Sequence, residues 1–155
     1  ISKEIKMNSN KANPSETSKQ DVSTMFDVRI ILSGLWIARV LSGLQGDSTR
    51  LHDPVALNEL LSGTTEVQVT DSMLLILSII LAIPIVMSFL SLVLKEKVNR
   101  RVNLGAGIFF VAWEIFFLVT VYIQAASYEL FWGFAYLIFV ALVVGYAWKW
   151  PKKAF

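Results

Sequence analysis

Residues 73–94 read MLLILSIILAIPIVMSFLSLVL, a run of 22 residues without a charged side chain. The polar side chains in this run are Ser78, Ser88 and Ser91. A helix of a soluble bundle carries polar residues along its whole outer face, because that face contacts water. A helix needs about 20 apolar residues to cross roughly 30 Å of hydrocarbon. The run therefore predicts a transmembrane helix.

Three further apolar runs of similar length, residues 28–44, 104–123 and 130–148, bring the number of predicted spans to four. The four runs hold nearly all of the apolar excess of this 155-residue chain, which is 55% hydrophobic with a mean hydropathy of +0.58. Both values are high for a soluble domain. We expect an all-α integral membrane four-helix bundle, with the transmembrane domain over residues 25–151.

The two ends of the chain are predicted to be tails. Residues 1–24 are polar and offer too little apolar surface to offset the entropy of ordering, which predicts a disordered cytoplasmic tail. Met7 is a possible natural start, with residues 1–6 as an upstream remnant. Residues 152–155 form a short C-terminal tail.

Basic residues flank the predicted spans almost entirely on one side. They are Lys3, Lys6, Lys11, Lys19, Arg29, Lys95, Lys97, Arg100, Arg101, Lys149, Lys152 and Lys153, whereas the other side carries Arg50 alone. Short flanking segments rich in lysine and arginine are retained in the cytoplasm. We therefore predict a multi-pass protein of the cell membrane with both termini and the 95–103 loop in the cytoplasm.

The predicted outer loop between spans one and two contains a short amphipathic helix. Asp53 can cap its start, Pro54 suits its first position, and Gly63 can end it. Its apolar face holds Leu57, Leu60 and Leu61 and is expected to face the bundle or the lipid. The segment is either a structural covering or a lid over a cavity.

Several kinds of chemistry are excluded by residue content. The chain has no cysteine, which rules out thiol nucleophiles and thiolate metal sites. Its single histidine, His52, lies in the outer loop, which rules out a haem held by two histidines between helices. No catalytic motif is visible. We expect a protein that is not an enzyme, with no cofactor, no metal site and no nucleic-acid partner.

Two ionisable residues lie inside predicted spans, Arg39 in the first and Glu114 in the third. A charge near the bilayer centre costs about 2.5 to 3.5 kcal/mol or more, so such residues face the bundle and find a partner. We expect the two to interact, either as a structural ion pair or, with Glu114 protonated, as a hydrogen-bonded acid. The alternative is a ligand or ion site. Trp36 and Trp113 are the neighbouring candidates for that site, and Pro84 predicts a helix kink beside it.

Small residues recur at helical spacing in two spans. Gly34, Ala38 and Ser42 form a stripe in the first, and Ala141 and Gly145 form a shorter one in the fourth. Such stripes let helix backbones approach closely in membranes. They predict either packing within the bundle or a face for dimerisation.

Several short segments carry a family resemblance: Leu35-Trp36-Ile37, Ile83-Pro84-Ile85, Asn99-Arg100-Arg101-Val102-Asn103 and Tyr146-Ala147-Trp148-Lys149-Trp150-Pro151. The chain resembles an uncharacterised family of short four-span bacterial and archaeal membrane proteins. The resemblance covers residues 28–151 and implies the topology but no activity. It extends, more distantly, to the architecture of DoxX-like proteins. Members of the family often carry an acidic residue where this chain has Ala82, so no role for that carboxylate transfers.

Two functions remain open at this stage, with a membrane enzyme third. The first is a non-enzymatic interaction or accessory component that associates with itself or with a partner membrane protein in the lipid. The second is a small transporter or ligand-binding protein with a cavity near Arg39, Pro84 and Glu114. A wide cavity reaching Glu114 would favour the second, and a dry packed interior would favour the first.

Overall fold

The computed structural model describes residues 14–63, 70–121 and 127–150, with side chains in these ranges from residue 27 onward. Within these ranges the chain forms five α-helices and no strand, which confirms the all-α prediction. The helices are α1 (Pro14–Leu51), α2 (Pro54–Ser62), α3 (Asp71–Val93), α4 (Glu96–Val121) and α5 (Ser127–Trp148).

Three of the described helices are long and apolar enough to cross a membrane. They cover Asp71–Val93, Glu96–Thr120 and Ser127–Trp148. Most of their apolar side chains face outward, as a lipid environment allows, and this indicates association with a membrane. The remaining predicted span, residues 28–44, lies within α1.

Helix α1 begins earlier than the sequence predicted. It starts at Pro14, so residues 14–24 are helical where a disordered tail was expected. Proline suits the first turn because its missing N–H would have no intrahelical partner there. Extending a helix also costs less than nucleating one, so the apolar run favours helix in the residues before it. Residues 1–13 and the predicted tail at 152–155 lie outside the described ranges.

The predicted loop at residues 95–103 is mostly helix. Only Leu94 and Lys95 separate α3 from α4, and the backbone N–H of Asn99 donates to the carbonyl of Lys95 at 2.8 Å. Glu96 in the first turn favours this start because its negative charge is attracted to the positive N-terminal end of the helix dipole. Asn99 and Asn103 therefore lie one helical turn apart on the same face. We call this end of the molecule the turn end and the opposite end, which carries α2, the loop end.

The short helix predicted between the first two apolar runs is present. Asp53 caps it by accepting a hydrogen bond from the N–H of Val55 at 2.9 Å. Gly63 ends it at φ 65°, a conformation that glycine adopts without a Cβ penalty. Leu57 is half-buried, whereas Leu60 and Leu61 are 57% and 78% exposed and do not pack into the bundle. The predicted alternative for these two leucines, contact with lipid, stays a prediction.

The long helices pack around a common interior. Helix α1 packs along α3 and α5, and α4 packs along α5, whereas the consecutive helices α3 and α4 make far fewer contacts with each other. Long side chains nevertheless connect α1 to α4 across the bundle. The buried apolar residues are Val28, Leu32, Trp36, Met87, Phe110, Val140, Val143 and Trp150.

Candidate functional site

Two opposite charges meet in the interior of the bundle. Arg39 of α1 is 6% exposed and Glu114 of α4 is 1% exposed. The Nε of Arg39 donates to Oε1 of Glu114 at 2.9 Å, and its Nη2 donates to the same oxygen. This is the contact expected between the two ionisable residues of the predicted spans. Each charge compensates the other, which buried charges require.

The guanidinium of Arg39 is also held by α5. Its Cζ lies 4.4 Å from the centroid of the Tyr136 ring, a cation–π distance. Gly43 and Gly46 leave room for this arrangement on α1. A Cβ at Gly43 would lie 3.0 Å from Nη1 of Arg39, and a Cβ at Gly46 would collide with the hydroxyl of Tyr136. We call Arg39, Glu114 and Tyr136 the charged cluster.

A second polar group lies nearer the turn end. The indole N–H of Trp36 donates to Oδ1 of Asn103 at 2.7 Å, and the hydroxyl of Ser91 donates to the same oxygen at 3.0 Å. The side-chain amide of Asn103 donates to Oδ1 of Asn99 at 2.6 Å. All four residues are fully buried. We call these residues the neutral cluster, because they join α1, α3 and α4 through hydrogen bonds between uncharged groups.

Two residues of α4 also satisfy the carbonyl groups at the ends of other helices. The amide of Asn99 donates to the carbonyl of Ser91 in the last turn of α3, at 2.6 Å. Arg100 donates from Nε to the carbonyl of Ala147 at 3.1 Å and from Nη2 to that of Trp148 at 3.3 Å. The last carbonyls of a helix lack intrahelical partners, so both contacts act as C-caps. Residues 99–103 thus fasten α1, α3 and α5 to α4.

The other predicted site residues do not all join the charged pair. Trp36 belongs to the neutral cluster and packs edge-on against Phe110, with ring centroids 5.7 Å apart. Trp113 stacks on Phe109 at 6.4 Å and is partly exposed. Pro84 is buried within α3. No described contact connects Trp113 or Pro84 to the pair, and the predicted grouping of these two residues around Arg39 and Glu114 stays a prediction.

The small residues of the predicted stripes point mostly outward. A Cβ at Gly34 or Gly145 would meet no atom within 4 Å, and Ala141 is exposed. Packing of these three within the bundle is therefore wrong. Of the α1 stripe, Ser42 is buried and Ala38 is half-buried. The reason is geometric: Gly34 lies two residues before Trp36, on the opposite side of the helix.

Close helix packing uses glycines outside the predicted stripes. A Cβ at Gly107 would lie 2.8 Å from Cγ2 of Val144, and one at Gly133 would lie 2.6 Å from Cδ2 of Leu118. Both contacts connect α4 with α5. An isolated glycine in an apolar helix was the available signal for them, because glycine is otherwise unfavourable there.

The loop end carries a polar contact between α2 and α5. The hydroxyl of Tyr128 donates to Oδ2 of Asp53 at 2.9 Å. This bond and the one from the N–H of Val55 hold the pKa of Asp53 below its usual value. Nearby, Arg50 and Glu129 approach to 3.8 Å with the arginine largely exposed. Within the described ranges, no three His, Cys, Asp or Glu residues come together in a way that could hold a metal ion.

Comparison with known proteins gives a family and no activity. No curated protein and no solved structure matches the chain, so the likeness to DoxX-like proteins stays a prediction. A family model matches the chain. The matched residues begin just before the predicted first span and include all the helices that build the two polar clusters. The model of a family of unknown function (DUF6326) matches residues 25–155, and the chain belongs to that family.

Proposed function

We propose that the chain is a four-span protein of the cell membrane with both termini in the cytoplasm. In this proposal α1 crosses the membrane in addition to α3, α4 and α5. The side chains of α1 support this. Its polar residues Ser33, Arg39 and Ser42 are buried against the other helices. Within residues 28–44 its exposed side chains are apolar, namely Ile30, Ile31, Ile37, Leu41 and Leu44. A helix that is polar inside and apolar outside suits a bundle surrounded by lipid.

Within that membrane the chain acts without catalysis, as an interaction or accessory component. The observation that carries this proposal is the mutual bonding of the interior polar groups. Arg39 is bonded to Glu114, and Trp36 and Ser91 are bonded to Asn103. A catalytic group needs access to a substrate, whereas Glu114 is 1% exposed and already paired. These groups hold helices together instead.

The partner we favour is a second copy of the chain, surrounded by membrane lipids. Gly34 of α1 and Ala141 and Gly145 of α5 present small residues to the outside of the bundle. Small residues on the outer face of membrane helices allow close approach of another helix. Another membrane protein is the alternative partner for the same faces.

The test compares glycines on the proposed contact faces of α1 and α5 with a glycine on α4. Gly34→Leu and Gly145→Leu fill open space on the predicted faces, and Gly105→Leu fills equally open space on α4. We expect the wild type to self-associate in lipid nanodiscs, measured by fluorescence energy transfer between labelled copies. The first two variants should lose that transfer and the third should keep it. A monomeric wild type, or equal behaviour of all three variants, would refute self-association through these faces.

A second candidate, a transporter or ligand-binding protein, is favoured by one detail of the charged cluster. Both bonds from Arg39 end on Oε1 of Glu114, and no described residue bonds the other carboxylate oxygen, Oε2. That oxygen is where a proton or small cation would bind. Proteoliposomes carrying a pH-sensitive dye test this idea. Proton flux in the wild type that disappears in Glu114→Gln would favour transport, and equal traces from protein-containing and empty vesicles would count against proton transport.

A further inference from the structure

Two buried N–H donors lack an acceptor among the described residues. They are Nε of Arg29 and Nε1 of Trp150, and Trp150 as a whole is 4% exposed. Folded proteins leave few buried donors without an acceptor, because each has given up its bonds to water. A buried donor without a protein partner therefore points to an acceptor from outside the chain. Two such donors at one place point to a binding site.

Both donors lie at the turn end of the bundle. Helices α1 and α5 run in opposite directions, since Arg39 contacts Tyr136 while Arg50, further along α1, approaches the earlier residue Glu129 at 3.8 Å. From the contact at the charged cluster, Arg29 lies about 15 Å along α1, and Trp148, at the end of α5, lies about 18 Å along α5 at 1.5 Å per residue. Trp150 follows two residues later, so the two donors lie at similar depth, within the reach of an arginine side chain.

Packing supports the same placement. Val28, the neighbour of Arg29, shares one buried apolar cluster with Trp150. Val28 and the Trp150 indole therefore both belong to the buried core of the bundle. The indole N–H and the guanidinium both donate, so neither can satisfy the other.

Basic side chains lie at the turn end, which also carries the carboxylate of Glu96 in the first turn of α4. The guanidinium of Arg100 holds the last carbonyls of α5, and Lys149 is exposed beside Trp150. The nearest acidic side chain in the sequence, Asp27, is exposed and precedes Arg29 by two residues, which turns it to another side of α1. An acceptor that carries negative charge suits this place better than a neutral one.

We propose that Arg29 and Trp150 bind a phosphate oxygen of an anionic phospholipid headgroup. The exposed aromatic residues Trp148 and Tyr146, 66% and 41% exposed, lie at the same end and are typical of a membrane interface. The placement of the turn end at the cytoplasmic leaflet, where anionic lipids concentrate, rests on the topology proposed above. Free phosphate carries the same chemistry, and the experiment separates the two sources.

The test is native mass spectrometry of the whole chain in detergent, with phosphatidylglycerol, phosphatidylcholine or inorganic phosphate added. We expect retention of phosphatidylglycerol over phosphatidylcholine. Arg29→Gln should weaken that binding on the order of tenfold, as loss of a charged hydrogen bond does. Trp150→Phe keeps an aromatic ring and removes the N–H, so it should weaken binding to a smaller extent. The control Arg101→Gln removes an exposed charge at the same end and should leave binding unchanged.

Thermal unfolding provides a second measurement that is independent of mass spectrometry. Phosphatidylglycerol should raise the melting temperature of the wild type more than that of Trp150→Phe, because a ligand stabilises the folded state that binds it. Competition by millimolar inorganic phosphate would assign the site to free phosphate, and no competition would assign it to the lipid. The proposal is overturned if neither phosphatidylglycerol nor inorganic phosphate is retained more strongly than phosphatidylcholine. It is also overturned if Arg101→Gln weakens binding as much as Arg29→Gln does.

The proposed binding measurements do not depend on the membrane topology. The detergent measurements report binding whichever way the protein is inserted. A failure of lipid binding would leave the four-span arrangement intact, and a failure of the arrangement in labelling experiments would leave the measured binding in place.

Discussion

The charged cluster and the neutral cluster connect the same two helices, α1 and α4, by opposite means. The charged cluster buries two opposite charges, and both hydrogen bonds between them end on one carboxylate oxygen. The neutral cluster divides its bonds among Trp36, Ser91, Asn99 and Asn103, and no charge is buried. Removing half of an ion pair leaves an uncompensated charge, whereas removing one member of the neutral cluster leaves polar groups without a partner. The two clusters should therefore fail differently when they are broken.

The largest effect should come from the charged cluster. Arg39→Met and Glu114→Gln should each lower the melting temperature of the purified protein. Breaking a buried pair costs about 3 to 5 kcal/mol in soluble proteins, and polar interactions in membranes are worth less. Because the two residues share one interaction, the double variant should lose less than the sum of the single losses. Strict additivity would show that the pair contributes no coupling.

A smaller loss is expected in the neutral cluster. Asn103→Ala removes the acceptor of the Trp36 indole N–H, and leaving a buried donor unpaired costs about 1 to 3 kcal/mol. Ser91 keeps an acceptor, because its hydroxyl also donates to the carbonyl of Met87 at 2.7 Å. The control is Ser78→Ala, which removes an exposed hydroxyl that bonds only within its own helix among the described contacts. Thermal unfolding in detergent should show a clear drop for the first variant and almost none for the second. Equal melting temperatures would mean that the neutral cluster contributes nothing.

The smallest effect should appear at the loop end and only in acid. The folded-state pKa of Asp53 lies below its usual value of 3.8, chiefly because of the hydrogen bond from Tyr128. A carboxyl with a lowered pKa stabilises the fold above its unfolded pKa and loses that contribution as the pH falls through the folded pKa. Tyr128→Phe should therefore be slightly less stable than the wild type near neutral pH. The difference should shrink below about pH 3.8, and a constant difference across the range would refute the linkage.

Only part of the fold and of the two clusters could be predicted from the sequence. Arg39 and Glu114 stand out because ionisable residues inside apolar runs are costly, and their depths put them within reach of each other. The short helix α2 was predictable because Asp53, Pro54 and Gly63 give a start and an end in local chemistry alone.

The neutral cluster was missed because Asn99 and Asn103 fell in a segment assigned to a loop on the strength of its charges. Lys95, Arg100 and Arg101 are basic enough for a cytoplasmic loop, yet a helix end at the interface carries the same residues. Their spacing of four residues was the overlooked indication of a helix. The face to which Gly34 points depends on how α1 is rotated within the bundle, and that rotation is set by tertiary packing rather than by local sequence.

The central claim is that α1 crosses the membrane although it carries Arg39 in its midst. Labelling with an impermeant maleimide in intact cells tests this directly, because the chain has no cysteine of its own. Asp27→Cys, Ser48→Cys and Lys97→Cys place single thiols at exposed positions, the first two toward either end of the apolar part of α1. We expect Ser48→Cys to be labelled in intact cells, and the other two to be labelled only after permeabilisation. Equal labelling of Asp27→Cys and Ser48→Cys in intact cells would contradict the crossing, and labelling of Lys97→Cys instead of Ser48→Cys would reverse the orientation.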